Sequence, residues 1–289
     1  MERELWPVLY RLVRQVGCEV RQKGVRYQPW VIALVVLWAA LHDRPRNWAC
    51  DSRNWSSANR KHRLQQWPSE SVISRRADSV GMGLFWRRLE EGLRGTSYGG
   101  MISMVDGKPL FVGGCSKDPD ARWGYGAGLH GKGYKLHTIW RQQNLPDAWD
   151  VTPLNRYEAN VAIEMVPHVE VGGYLLADGN YDVAATHIAA QEQGYQLIAQ
   201  DRRPNAGQGH RPLDESRRRS IELRHTSFGQ ELLSHRGEIE RDYGQATSFA
   251  GGLGPLPNWV RRESRVRTWI WTKLLINATR ITLHQQLAA

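Results

Sequence analysis

The sequence predicts a mixed α/β domain that follows a small all-helical N-terminal domain. Apolar residues recur at helical spacing before residue 95, whereas short apolar runs separated by turn residues begin at residue 101. Two of these runs stop on an Asp-Gly pair. Strands then alternate with helices, which is typical of a mixed sheet with helices on its faces.

Residues 1–98 form the predicted helical domain. Its longest apolar run, residues 30–41, reads as a buried helix, because it is well short of the roughly 20 residues that span a bilayer. Another helix begins after Ser69, which is a favourable N-cap residue. A Gly-Gly pair follows the last helix of this region, so we expect a second domain over residues 99–289.

The charge balance favours a polyanionic partner. The net charge is +10, and residues 1–98 carry 17 Lys and Arg against 9 Asp and Glu. Such an excess is typical of nucleic-acid-binding proteins. A solvated basic face is the alternative explanation, and charge alone does not separate the two.

The cysteines and histidines exclude two common kinds of site. Three isolated cysteines and ten histidines show neither CxxC nor HExxH spacing, so neither a zinc site nor a disulfide framework is expected. The N-terminus has no charged-then-apolar leader with a cleavage site. We therefore expect a cytoplasmic, nucleoid-associated protein.

The second domain is predicted to begin with a β-hairpin whose turn is the pair Asp106-Gly107, because Asp-Gly is a strong tight-turn signal. Residues 113–133 read as a long Gly-rich loop, and residues 134–140 as a strand. The remaining predicted elements are a helix at 156–166, a strand at 174–177, a helix at 184–193, a strand at 196–199, a basic loop at 201–224, a helix that carries Glu240 and a final helix at 266–287.

Four side chains are the candidates for catalysis. Asp106 and Asp178 each end a predicted strand, where α/β sheets present functional groups. Each aspartate alone is more readily a turn or cap residue, but two acidic strand ends repel unless a metal ion lies between them. Glu240 lies on a predicted helix with Arg236 one turn before it; the alternative is a surface ion pair worth about 0.3–0.5 kcal/mol.

Three other polar residues compete for these roles. Glu238 lies on a different helix face from Glu240, which makes it the weaker candidate. Asp182 follows Asp178 by one turn and is expected to cap the next helix. His137 is expected to be a packed strand histidine.

The ordered motifs VDGKPLFVGG, GYKLHTIW, LLADGNYD, IAQDRR and HRGEIER resemble the DDE transposases of bacterial insertion sequences. The resemblance covers about residues 100–280 and implies an RNase H-like catalytic domain with a mixed five-stranded sheet. It implies that Asp106, Asp178 and Glu240 are the catalytic, metal-binding residues. One subgroup has the motif Y-x2-R-x3-E-x6-K, which Arg236 and Glu240 match. Its Tyr and Lys positions are occupied here by Leu and Thr.

The resemblance also implies the cofactor and the reaction. With two bound Mg²⁺ or Mn²⁺ ions, the enzyme would cleave DNA and join the freed 3′ end to a target. Carboxylates suit this task because Mg²⁺ prefers oxygen ligands and keeps open positions for water and phosphate.

Two regions are candidates for DNA contact. The loops at residues 117–135 and 202–224 are basic, and we expect phosphate contacts in the first from Lys117, Arg122, Lys132 and Lys135. In the N-terminal domain, WPSESVISRRAD resembles the second helix of a helix-turn-helix, and the residues that would face the groove or the DNA backbone are Ser69, Ser71, Ser74, Arg75 and Arg76. Solvated loops and a capped surface helix are the respective alternatives.

We therefore expect a transposase that binds double-stranded DNA, both transposon ends and target, as a homodimer. A non-catalytic DNA-binding protein derived from a transposase is the first alternative. A metal-dependent nuclease without strand transfer is the second.

Overall fold

The computed structural model describes residues 2–94, 100–141, 143–169, 172–201 and 213–288. The chain forms two compact units, one of Met1–Thr96 with Gln245–Ala289 (unit 1) and one of Ser97–Gly244 (unit 2). The sequence assigned all of residues 99–289 to a second domain. By contacts, the segment from Gln245 onward groups with the N-terminal helices instead.

The helices of the described chain, in order, are α1 (Glu2–Glu19), α2 (Pro29–Leu41), α3 (Arg46–Ala49), α4 (Glu70–Arg76), α5 (Val80–Leu93), α6 (Glu158–Met165), α7 (Ala184–Glu192), α8 (Glu215–Arg224), α9 (Ser227–Ser234), α10 (Gly237–Thr247) and α11 (Glu263–Ala288). The strands are β1 (Ile102–Phe111), β2 (Arg122–Gly126), β3 (Leu129–Trp140), β4 (Ala148–Pro153), β5 (Gly173–Ala177) and β6 (Tyr195–Ala199).

Unit 1 is built around α2, the buried helix that the sequence predicted. Its residues are apolar on all sides, and all of them except Trp30 are buried. Lys273 of α11 binds the C-terminal end of this helix. Its ammonium donates to the carbonyl of Ala40 at 2.6 Å and to that of Gly251 at 2.9 Å. The same ammonium pairs with Asp43 at 2.6 Å, so this buried charge is fully partnered.

Unit 2 contains one mixed sheet with the strand order β2-β3-β1-β5-β6, and β4 also pairs with β3. β3 runs antiparallel to β1, β2 and β4, whereas β5 is parallel to both β1 and β6. Residues of β1, β3, β5 and β6 form one core with α6 and α7. The predicted class, a mixed sheet flanked by helices after an N-terminal helical region, is confirmed, although the described sheet has six strands rather than five.

The predicted hairpin at Asp106-Gly107 is wrong. β1 continues through both residues, and Asp106 and Gly107 pair with Thr138 and His137 of β3. Gly107 is needed for packing rather than for a turn, because a Cβ there would lie 2.9 Å from Cδ of Lys135 and 3.0 Å from Oε1 of Glu158. Asp106 is therefore a mid-strand residue.

Other elements also differ from the sequence prediction. The Gly-rich segment at 113–133 holds β2 and the start of β3, whose turn uses the positive φ angles of Ala127 and Gly128. β4 had not been predicted. The basic loop at 201–224 ends in α8, and its residues 202–212 lie outside the described part of the chain. The single helix expected to carry Glu240 is split into α9 and α10.

Asp182 does not cap α7 as expected, since the residue at the N-cap is Val183. Its buried carboxylate instead accepts two hydrogen bonds from Arg217 of α8, at 3.0 and 3.1 Å, and contacts Nε2 of His187 at 3.1 Å. Burial raises the pKa of Asp182, but the hydrogen bonds from His187 and Arg217 outweigh it and lower the pKa to about 2. This cluster fixes the chain just after Asp178.

The Asp182 cluster predicts a defined pH dependence of stability. Because the folded pKa lies below the ordinary 3.8, the ionised carboxylate stabilises the fold above pH 4, and this contribution disappears as the pH falls from about 4 to 2. Asp182→Asn should lower the free energy of unfolding by about 2 kcal/mol at pH 7. Urea unfolding of both proteins at pH 7 and pH 3 would measure this, and the difference should shrink at pH 3.

Glu215→Gln is the matched control for this measurement. Glu215 pairs with Arg219 on the exposed side of α8, so its removal should change stability by less than about 0.5 kcal/mol. An equal loss for Asp182→Asn at both pH values would contradict the role of the ionised carboxylate.

Candidate active site

The candidate site begins with Asp106 on the central strand β1. Asp106 lies opposite Thr138 of β3, and directly opposed residues of an antiparallel pair share a face of the sheet. The hydroxyl of Thr138 is 2.7 Å from the hydroxyl of Tyr243 on α10. The side chain of Asp106 is therefore on the sheet face that α10 covers, while Val105 points into the core on the other face.

Asp178 follows directly after β5, as the sequence predicted. β5 is the parallel neighbour of β1, with Met104 beside Leu176, so each strand reaches its aspartate two residues later. The carboxylate of Asp178 accepts from the backbone N–H of Asn180 at 2.8 Å, which holds it at the start of a short 3₁₀ turn. The two aspartates thus lie beside each other just past the point where the parallel pairing of β1 and β5 ends.

The electrostatics of Asp106 show that the two carboxylates interact. Burial raises the pKa of Asp106 to about 6; the hydrogen bond from the Gly107 N–H opposes this shift, and the negative charge of Asp178 adds to it. The positive charge of Arg236 lowers the same pKa. Asp106, Asp178 and Arg236 therefore share one electrostatic environment.

Helix α10 is anchored at Asp106 by one buried tyrosine. The hydroxyl of Tyr243 donates to the backbone carbonyl of Asp106 at 3.2 Å, and Ile239 on the same helix is fully buried. Burial, together with the charge of Asp106, raises the pKa of Tyr243 well above its usual value, so the phenol stays protonated and can donate. This contact brings the Arg236–Glu240 segment to the site.

Glu240 itself is exposed. Its side chain is 68% accessible, and its Oε1 lies 3.8 Å from Nη1 of Arg236, an ion pair between consecutive turns. Within the described residues, no three His, Cys, Asp or Glu side chains lie close enough together to hold a metal ion. The structure therefore brings Asp106 and Asp178 together and leaves Glu240 apart from them. The competing Glu238 contacts His235 at 2.8 Å and Arg241 at 3.2 Å.

Several polar residues that the sequence did not predict to be part of the site surround the two aspartates. Lys108 follows Asp106 on the same face of β1, and its ammonium lies 5.5 Å from the ring centre of Tyr243. Burial lowers the pKa of Lys108, and Asp106 opposes this. Strand alternation could have identified Lys108 if β1 had been predicted as continuous.

Glu158 is a carboxylate near the two aspartates that the sequence did not predict. Its position depends on tertiary contacts that sequence spacing does not show. Its Oε1 accepts from Lys135 at 2.5 Å, and its Oε2 accepts from the side-chain amide of Asn180 at 3.4 Å. The same amide donates to Asp178 at 3.3 Å, so Asn180 connects the two carboxylates.

The expectation for His137 is confirmed: it is buried and 2.9 Å from Oγ1 of Thr152, and burial lowers its pKa to about 3.

The four basic residues predicted for the first loop fall in different environments. Lys117 and Arg122 are exposed. Lys132 is partly exposed and donates to the carbonyl of Ser116 at 2.7 Å. Lys135 is buried in its ion pair with Glu158, which does not present it to a phosphate.

The N-terminal candidates cluster at α4, where Ser69 is the N-cap residue without a side-chain cap bond. Its hydroxyl is 3.0 Å from that of Ser71, and both serines are exposed. Arg75 is exposed and bonds only within its own helix among the contacts described, whereas Arg76 points inward and donates to the Tyr27 carbonyl and the Gln22 side chain. Arg75 is therefore better placed than Arg76 to meet a ligand.

Comparison with known proteins identifies the family. No helix in the described part of the chain is long and apolar enough to cross a membrane. No curated protein matches the chain. The family model of the transposase DDE domain matches residues 99–276, which is more than half of the sequence and includes Asp106, Asp178 and Glu240. The chain belongs to the family of proteins with a transposase DDE domain.

Proposed function

We propose that this protein is an insertion-sequence transposase that cleaves DNA at transposon ends and joins the freed 3′ end to a target. The observation that carries the proposal is the pair of adjacent carboxylates, Asp106 and Asp178, on neighbouring parallel strands inside the matched region. DNA as partner follows from the family and fits the net charge of +10.

The donor set fits a divalent cation. Members of this family are generally dependent on divalent metal. Burial and, to a smaller extent, the negative charge of Asp178 raise the pKa of Asp106, and a bound cation would stabilise both carboxylates in their ionised form. Oxygen donors suit Mg²⁺ or Mn²⁺. We propose that Asp106, Asp178 and, through movement of its exposed side chain, Glu240 hold two ions, which supply an activated water and stabilise the leaving oxygen.

The protein's own side chains would position the phosphodiester. Arg236 and Lys108 present positive charge next to Asp106, where a scissile phosphate would bind. Tyr243 holds α10 against β1, which keeps Arg236 within reach of that phosphate. Such positioned charges stabilise the additional negative charge of the transition state.

The division of labour between regions is also proposed. Residues 1–98 would bind the transposon ends through α4, and residues 99–289 would carry out the chemistry. We propose a homodimer in the active complex, because two ends must be processed together. The protein would act in the cytoplasm at the nucleoid.

The carboxylate assignment predicts loss of cleavage without loss of binding. Asp106→Asn, Asp178→Asn and Glu240→Gln should each lower the rate of end cleavage in Mg²⁺ by at least about 10²-fold, since each removes a ligand or charge that the transition state requires. Binding to end DNA in EDTA should stay within about twofold, because phosphate contacts elsewhere dominate affinity. Cleavage of labelled end DNA and gel-shift titration measure the two quantities.

Glu238→Gln is the matched control, since this carboxylate lies on the same helix and is engaged by His235. Full strand transfer by any one of the three variants would refute its assignment. Binding without metal-dependent cleavage by the wild type would favour the non-catalytic alternative. Cleavage without capture of the 3′ end into a target plasmid would favour the nuclease.

Arg236 is predicted to act on the reaction rather than on DNA affinity. Arg236→Gln should slow cleavage by about 10²-fold, comparable to the loss of one charge-stabilising donor in other enzymes. Arg241→Gln, on the adjoining helix α10 and 71% exposed, should leave the rate unchanged. Equal rates for both variants would remove Arg236 from the site.

The α4 assignment predicts a change in the salt dependence of end binding. Arg75→Ala should reduce the slope of log affinity against log salt by about 0.9, the contribution of one phosphate contact. Arg87→Ala, which removes an exposed arginine from α5, should leave the slope unchanged. An unchanged slope for Arg75→Ala would refute the role of α4 in DNA contact.

A further inference from the structure

The hairpin formed by β2 and the first half of β3 has two very different faces. Four glycines lie on one face. A Cβ on Gly124 would lie 2.7 Å from the carbonyl oxygen of Leu154, and one on Gly131 would lie 2.7 Å from Cδ1 of Phe111. Gly126 and Gly133 are equally close to Pro109 and Leu110. This face is therefore pressed against β1 and the segment after β4 by its bare backbone.

The opposite face carries the large side chains. Trp123 pairs with Lys132, and Tyr125 pairs with His130, so these four share that face. Trp123 is 53% exposed and Tyr125 is 72% exposed. The imidazole of His130 is stacked on Trp123 at a centroid distance of 5.4 Å and tilted against Tyr125 at 4.7 Å. The result is an ordered, exposed row of three rings, the aromatic row.

The charges around the aromatic row suit a polyanion. Lys132 lies on the same face as the rings, whereas Arg122, at the start of β2, lies on the glycine face. Residues 121–133 contain no acidic residue. Asp120, directly before this stretch, is partly exposed, whereas Asp118 is buried and accepts from the hydroxyl of Tyr134. Aromatic rings next to cations are the features that bind single-stranded nucleic acid, because the rings stack on bases while the cations contact phosphates. Paired bases inside a duplex have no free face for such stacking.

The position of the hairpin is consistent with a single DNA strand that passes from the candidate site to the aromatic row. The second half of β1 leads from Asp106 to Phe111, and Phe111 contacts the glycine face of the hairpin. Five strand residues span roughly 17 Å. Asp178 lies at the same end of the sheet, since β5 is parallel to β1. A few nucleotides of single strand can connect the two places.

We propose that the aromatic row binds an unpaired DNA segment adjacent to the cleaved position, with bases stacked on Trp123 and Tyr125 and a phosphate at Lys132. The inference rests on the proposed function for its DNA substrate. The binding itself does not depend on the carboxylates.

The test compares single-stranded and duplex DNA with the full chain in EDTA. Fluorescence anisotropy would measure binding of a labelled oligonucleotide of about 12 nucleotides, within the usual site sizes, and of a duplex of the same length. Trp123→Ala and Tyr125→Ala should each weaken single-strand binding by about tenfold, the effect of losing one base–aromatic stack. Trp123→Phe should restore most of the affinity, and duplex binding should change little.

Trp259→Ala is the matched control, because Trp259 is an exposed tryptophan of unit 1, 43% accessible. It should leave both affinities unchanged. Thermal unfolding would verify that the hairpin variants are folded. Equal losses on single strand and duplex, or no loss on either, would overturn the proposal. A change in molar mass by light scattering for the hairpin variants, without a loss of single-strand affinity, would assign the row to a second copy of the chain.

This experiment separates the inference from the proposed function. The assay contains no divalent metal, so single-strand binding is measured independently of cleavage. If the wild type fails to cleave but the ring variants lose single-strand affinity, the hairpin assignment stands alone. If cleavage proceeds and the ring variants bind normally, only the hairpin assignment fails.

Discussion

The geometry of unit 2 depends on β1 and on how far each neighbouring strand follows it. β3 pairs with β1 from Met104 to Phe111, whereas β5 pairs only from Ile102 to Met104. Asp106 therefore lies where β1 has lost its parallel partner but keeps its antiparallel one. The backbone of β1 at Asp106 is hydrogen-bonded to β3 on one side, and Asp178 lies on the other side, where β5 has ended. The two carboxylates come together because β5 ends before β1 does.

The alternating strands and helices of unit 2 could be predicted from sequence, since β5, α6, α7 and β6 follow their apolar periodicity closely. Glycine caused the main errors. Gly107 and the glycines of the β2–β3 hairpin read as turn or loop residues, but most of them have extended backbone and are needed where another chain segment approaches too closely for a Cβ. Sequence alone does not distinguish these two uses of glycine.

The candidate site was predictable in its strand-borne half. Asp106 and Asp178 are paired in the sequence prediction because α/β sheets present functional groups at strand ends, although Asp106 is a mid-strand residue. Glu158 and Tyr243 could not be inferred, because their contacts join segments far apart in sequence. Lys135 had the right charge for a DNA ligand, but its buried ion pair is a tertiary contact.

The discontinuous composition of unit 1 has a consequence for biosynthesis. Unit 2 is inserted in the chain between the N-terminal helices and α11, so the ribosome completes unit 2 before it delivers Lys273. Until then the end of α2 lacks its ammonium partner and the cover of α11, and apolar surface of the first helices is exposed. Domains generally fold as units during synthesis. Here the helices of residues 2–94 emerge before unit 2 but reach their native packing only after α11 has been synthesised.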